Sequence, residues 1–273
     1  MSKDEFFVGY SNETPPKTKK LVKRVVIGLF ILLPLLGGLM AFLHKEYSTG
    51  KYEFGKLTEV EGFISTEPVP RLKLIAGKNL KGSKITQSIV LVGYGKFGAK
   101  GIVDKYRQKI KSDTGEDFGN VKVKLEGTLA YNDGKAILEL TKKEKALLSY
   151  EVVKDAEQLS LVPTKKTGIG RVTLKGEIID PKCYFGAMNP GRGKSHKSCA
   201  IMCIRGGIPP MFVVQNENGD NGYYILTNTN RKALKDEVLD FVADPVSITG
   251  SVFRQDDWYE LVITDPSKDI ERL

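Results

Sequence analysis

The sequence predicts a mainly β protein: an N-terminal transmembrane helix followed by two tandem OB-like five-stranded barrels. Three features point there: one unbroken apolar run, a series of β-patterned segments that occurs twice in the same order, and a glycine-to-turn spacing shared by both closing hairpins. The chain has 273 residues, 41% of them hydrophobic, with 28 Gly and 12 Pro. That composition excludes a wholly disordered chain, and a single long apolar segment excludes a polytopic membrane protein.

From Val25 to Leu43 all 19 residues are apolar or Gly, with the helix-bending Pro34 among them, close to the roughly 20 residues a span requires. Lys17, Lys19, Lys20, Lys23 and Arg24 precede the run, whereas His44, Lys45 and Glu46 follow it. The basic excess predicts a cytoplasmic N-terminus, a single pass through the cytoplasmic membrane, and residues 45–273 outside. The run exceeds the apolar core of a secretory signal and no small-residue cleavage site closes it, so an uncleaved signal-anchor is expected. Residues 1–24 form the cytoplasmic arm. Phe6, Phe7 and Tyr10 within it are too few to bury a core of their own and read either as incidental aromatics of a disordered tail or as a cluster that docks on a membrane partner.

The external part divides into a first OB-like domain over 50–150 and a second over 168–266, joined by Pro163-Thr164-Lys165-Lys166. Each opens with a β-patterned run that carries a glycine, Leu57–Ile64 with Gly62 and Val172–Ile179 with Gly176, followed by Pro68 or Pro181. Ser88–Val92 and Met211–Val214 read as central strands. Asn218-Gly219 then turns the chain into Tyr223–Leu226. Val103, Tyr106 and Ile110 before Gly115, and Leu234, Val238, Phe241 and Val242 before Asp244-Pro245, fall at helical spacing. Each half closes with a hairpin in which Gly127 to Gly134 and Gly250 to Asp257 span the same distance. Asp256 and Asp257 read as turn formers rather than an acid/base pair.

The chemistry concentrates in the 183–210 loop of the second domain. All three cysteines and one of the two histidines fall within 21 positions. Cys199 and Cys203 lie one turn apart on a single helical face, His196 is a turn away, and Cys183 can return across the loop. Cys183, His196, Cys199 and Cys203 make a Cys3His set suited to one zinc or copper ion, with Met188, Met202 and Met211 favouring copper. A disulfide from Cys183 to Cys199 or Cys203 is the competing reading outside the cytoplasm. A third is thiol–disulfide exchange or copper transfer through Cys199 and Cys203, with His196 or Lys197 activating a thiol. Inert buried thiols remain the plain alternative.

Other motifs fail. Gly193-Lys194-Ser195 resembles the end of a phosphate loop, but the position five before Gly193 is Met188 and no βαβ setting surrounds it. A Cys199–His196 nucleophile pair lacks an oxyanion set and a third member, so no catalytic residue is assigned and enzymatic activity is not expected. The net charge of +9 draws partly on the arm, and the remaining lysines are interleaved with Asp and Glu, so nucleic acid is not an expected ligand. Gly93-Tyr94-Gly95-x-Phe97-Gly98 reads equally as a β-turn or a ligand loop.

The run Cys183-Tyr184-x-Gly186-x-Met188, Gly193-Lys194-x-His196-x-x-Cys199-Ala200-x-x-Cys203-Ile204-x-Gly206-Gly207-Ile208-Pro209-Pro210, with the Phe6-Phe7-x-Gly9-Tyr10 arm ahead of one span, resembles an uncharacterised family of bacterial single-span membrane-anchored proteins. The resemblance implies association with Rieske-type and other respiratory proteins. In plan the chain is also similar to the periplasmic haem chaperone of cytochrome c maturation, but its tail, Asp265–Leu273, has no His for haem. The expectation is a periplasm-facing accessory subunit or assembly factor of a redox or respiratory membrane complex. The alternatives are the exchange or copper-transfer protein and a cell-envelope binding module.

Overall fold

The computed structural model describes residues 14–43, 50–78, 84–160, 162, 166–216 and 218–273. Phe6, Phe7 and Tyr10, and the linker positions Pro163, Thr164 and Lys165, lie outside them. Two compact units result, residues 1–46 and 47–273. In the first, α1 (Pro16–Leu43) is one helix with no buried residue, long and apolar enough to cross a membrane. It starts nine residues before the apolar run, because Pro at a helix start is tolerated and the lysines that follow are good helix formers.

In the second unit, the chain order is β1 (Lys51–Tyr52), β2 (Thr58–Ser65), β3 (Arg71–Lys78), β4 (Lys84–Gly93), α2 (Lys100–Thr114), β5 (Val121–Asn132), β6 (Lys135–Leu140) and β7 (Leu147–Val152). After a single turn, α3 (Ala156–Leu159), come β8 (Lys166–Ile179), α4 (Lys197–Arg205), β9 (Met211–Gln215), β10 (Asn221–Asn228), β11 (Pro245–Gln255), β12 (Trp258–Ile263), α5 (Pro266–Asp269) and β13 (Ile270–Arg272).

Strands β2, β3, β4, β6 and β5 pair in a closed circuit, antiparallel except for the parallel β4–β6 ladder. Numbered within the domain the order is 1-2-3-5-4-1, the OB-type barrel with its helix between the third and fourth strands. The same circuit of ladders recurs through β8, β9, β10, β12 and β11, again with one parallel pair, β10–β12. The duplication reaches the glycines. A Cβ on Gly62 would stand 2.2 Å from the Lys73 carbonyl oxygen, and one on Gly176 2.1 Å from that of Val213, so the first strand of each circuit needs Gly where it passes under the second.

Val103, Tyr106 and Ile110 are buried on α2, and Gly115 ends it in the left-handed region at φ +77°. The second domain differs: its expected helix is a 3-10 segment, Asp236–Phe241, which still buries Val238 and Leu239. Six residues ahead of Pro245 are too few for an amphipathic α-helix. β13 extends the second domain to Arg272 by pairing with β11.

The two barrels share a core. One apolar cluster lies in the first barrel, around Leu72, Leu91 and Ile110, and another in the second, around Phe212, Ile248 and Leu261. A third combines Val90, Val92 and Ile137 of the first with Cys183, Phe185, Cys203, Met211 and Trp258 of the second. Polar locks frame this seam. Lys73 Nζ bonds Asp256 Oδ1 at 2.8 Å with both side chains nearly buried, the Ser88 amide donates to Asp257 Oδ1 at 3.0 Å, and Trp258 Nε1 donates to the Ser88 carbonyl at 2.7 Å. Asp256 and Asp257 do form the turn, with Asp256 at φ +56°, and they also fasten one barrel to the other.

Candidate metal centre at the barrel seam

The connection from β8 to β9 follows the first strand of the second circuit, one of the two loops that OB barrels use for ligands. It begins with a wide turn in which the Met188 amide reaches back to the Cys183 carbonyl. It continues through a short 3-10 segment, Lys194–His196, into α4. Cys199 and Cys203 sit one turn apart on α4, and Cys203 and Ala200 are buried. The Gly193 amide is taken by Glu177 Oε1 at 2.6 Å, so the Gly-Lys-Ser segment spends its amide on a carboxylate of its own chain and makes no anion cradle.

The ligand atoms of Cys183, His196 and Cys199 lie within 4.8 Å of one another, and this group could hold a metal ion. Around a tetrahedral zinc such atoms stand ~3.8 Å apart, so closing on an ion requires sub-ångström movements. Cys203 joins Cys183 in a second trio whose third member is Asp180. The three cysteines are unbridged.

Asp180 is the member the sequence did not reveal. It is fully buried; its Oδ1 accepts the Cys183 amide at 2.9 Å, and its Oδ2 lies 3.0 Å from His196 Nε2. With Nε2 engaged by Asp180, Nδ1 is the nitrogen left to ligate, the carboxylate–histidine arrangement typical of metal sites. The thiols differ electrostatically. The hydrogen bond to Cys203, then burial, pushes the Cys183 thiol up, whereas accepting that bond holds Cys203 below the ordinary thiol range.

The first barrel contributes directly. Lys96, on the β4–α2 connection, places Nζ 3.3 Å from Cys199 Sγ, and this contact raises the lysine's own pKa. Glu139, buried on β6, accepts from Lys182 Nζ at 2.6 Å, from the Gly95 amide at 3.1 Å and from the Tyr52 hydroxyl. Lys182 immediately precedes Cys183, so this buried ion pair pins the loop to the first barrel. The Tyr94–Gly98 turn is thus part of the seam. The Gly98 amide donates to the Gly206 carbonyl at 2.9 Å, and a Cβ on Gly98 would stand 2.0 Å from the Gly207 carbonyl oxygen.

Of the three methionines, Met188 Sδ is 3.5 Å from Cys199 Sγ, Met202 is exposed, and Met211 is fully buried in the shared core. Cys199, half-buried, is the most accessible thiol of the three. No protein-family model matches the chain, and no curated protein matches it.

Proposed function

We propose that this protein is a membrane-tethered accessory subunit or assembly factor of a membrane redox complex, in which one zinc or copper ion on the 183–210 loop orders a contact surface at the seam of two barrels. The observation that carries the reading is the convergence of Cys183, His196 and Cys199 within 4.8 Å, with Asp180 orienting the imidazole. With Cys203, one turn along α4 from Cys199, as the fourth ligand, the set would close a tetrahedron, and a closed set with a buried orienting carboxylate favours a fixed, structural ion over a catalytic one with an open position. The anchor fits α1 and its basic N-terminal flank, which argues for a cytoplasmic N-terminus and barrels outside. The redox setting rests on the loop's resemblance and its sulfur chemistry.

The test is elemental analysis of the detergent-solubilised full chain, purified anaerobically without added metal, with thiols counted on the same sample. Near-stoichiometric zinc or copper that disappears in Cys199→Ala is expected. Absence of metal together with a single free thiol would replace the ion with a disulfide staple.

A second reading, copper transfer through Cys199 and Cys203, is favoured by the Met188 thioether beside the half-exposed Cys199 thiol. It predicts that copper(I) leaves to a competing thiolate ligand within seconds, and that Met188→Leu slows the exchange. A structural ion would stay bound through the same challenge.

A further inference from the structure

The surface around the Cys199 mouth differs from the rest of the 47–273 unit. Among the described residues of that unit, its exposed aromatic side chains are Phe54, Tyr94, Phe97 and Tyr131, and its exposed methionines are Met188 and Met202. Phe54 is 86% exposed, Phe97 66% and Tyr94 56%. They belong to one rim. Phe54 packs at a tilt against Tyr52, ring centroids 6.1 Å apart, and the Tyr52 hydroxyl meets the same Glu139 that takes the Gly95 amide between Tyr94 and Phe97. Tyr131 pairs across the ladder with Lys51, on the opposite face of the strands from Tyr52 and Glu139, and so stands apart from this rim. Lys96 reaches Cys199, and Cys199 touches Met188.

Exposed lysines, Lys96 and, paired with Glu53, Lys56, are interleaved with these side chains. Aromatics and a methionine mixed with snorkelling lysines match the boundary between lipid headgroups and acyl chains, with cations for anionic headgroups.

The chain's own connection selects the occupant. It joins this unit at Gly50, where a Cβ would stand 2.6 Å from the Phe185 carbonyl carbon, so the point of attachment lies on the Cys/His loop beside the rim. Seven peptide steps separate Leu43, the last residue of α1, from Gly50, a reach of at most ~25 Å.

We propose that the rim of Phe54, Tyr94, Phe97 and Met188 docks on the anionic lipid surface of the membrane that α1 spans, so that the Cys199 mouth faces the bilayer. The proposal rests on α1 as a membrane span and deepens the accessory reading: a partner that reaches Cys199 is itself embedded in, or lies flat on, the membrane.

The full chain is reconstituted into vesicles of phosphatidylcholine and phosphatidylglycerol, with plain or brominated acyl chains. The native chain carries one tryptophan, Trp258, which is 1% exposed in the shared core and serves as the unquenched reference. A tryptophan introduced by Phe97→Trp, at a position open enough to accept it, is expected to lose about half its emission in the brominated vesicles, as a side chain lodged at the headgroup–acyl boundary does. Phe54→Trp is expected to behave alike. Quenching no greater than that of the native chain, in protein that floats with the vesicles, overturns the docking and leaves the span intact. Protein that fails to float with the vesicles overturns the span and the docking with it.

Discussion

At Asp180 the two carboxylate oxygens are divided between the Cys183 amide and the His196 ring, so one buried side chain sets both the entry of the loop and the tautomer of its imidazole. Asp180→Asn keeps the size but puts an amide nitrogen against one of the two donors, leaving a buried clash of like groups. Metal affinity is expected to fall 10–100-fold, as when an orienting second ligand shell is lost, measured by competition with a chelator. Unchanged affinity would assign Asp180 to packing alone. The Cys183, His196 and Cys199 group was legible in the sequence because its members crowd into one stretch, whereas Cys203, expected in the same set, falls with Cys183 and Asp180. Asp180 was not legible, since Asp before Pro at a strand end reads as a turn former. Lys96 and Glu139 were hidden for another reason, because they reach the loop from the other barrel. Glu139 sits where strand alternation would place an outward side chain, and it is buried because the second barrel covers that outer face.

Among the elements, the β4–α2 connection and the end of α4 touch through bare backbone. Gly98→Ala places a methyl carbon within 2.0 Å of the Gly207 carbonyl oxygen, which backbone cannot yield without opening the seam. A loss of about 1–3 kcal/mol is expected in chemical denaturation, together with weaker metal binding, because the contact closes the end of α4, which carries Cys199 and Cys203. Gly101→Ala, three residues on in the first turn of α2, meets no atom within 4 Å and is expected to be neutral or to stabilise by up to ~1 kcal/mol. Equal losses at both positions would mean that helix propensity, not the seam, sets the effect. α2 was readable because its three buried residues keep a helical period. The 3-10 segment was misread as α-helix because Leu234, Val238 and Val242 mimic that period while the chain between Lys235 and Pro245 makes only a short turn. The barrel circuits were legible from repeated strand order and glycine spacing, but strand patterns within one half carry no record of the other half packed against it.

Across the whole molecule, the shared core and its charged frame make the two barrels a single cooperative body. The first barrel presents Arg71, Lys73 and Lys135 to the seam and the second presents Asp256, Asp257 and Glu260, with Arg71 and Glu260 almost fully buried. Removing one partner of the Lys73–Asp256 pair strands the other charge away from water, so Lys73→Met is expected to cost about 3–5 kcal/mol. Adding Asp256→Asn to that variant removes the stranded charge, and the double variant should lose less than the sum of the singles, with a coupling of about 1–3 kcal/mol. Because the pair spans the seam, the loss should appear as a shift of one transition of the full chain in detergent. Separable barrels would instead give two transitions, of which at most one moves. The metal offers the complementary perturbation: an ion held on the loop between the barrels and present at 100 times its dissociation constant stabilises by about 2.7 kcal/mol. Scanning calorimetry with and without zinc or copper(I) should therefore raise the single transition as a whole. If metal moved only a second-barrel transition, the Cys/His loop would be ordered by its own barrel, and the contacts of Lys96 and Glu139 would be a consequence of that order and not part of its cause.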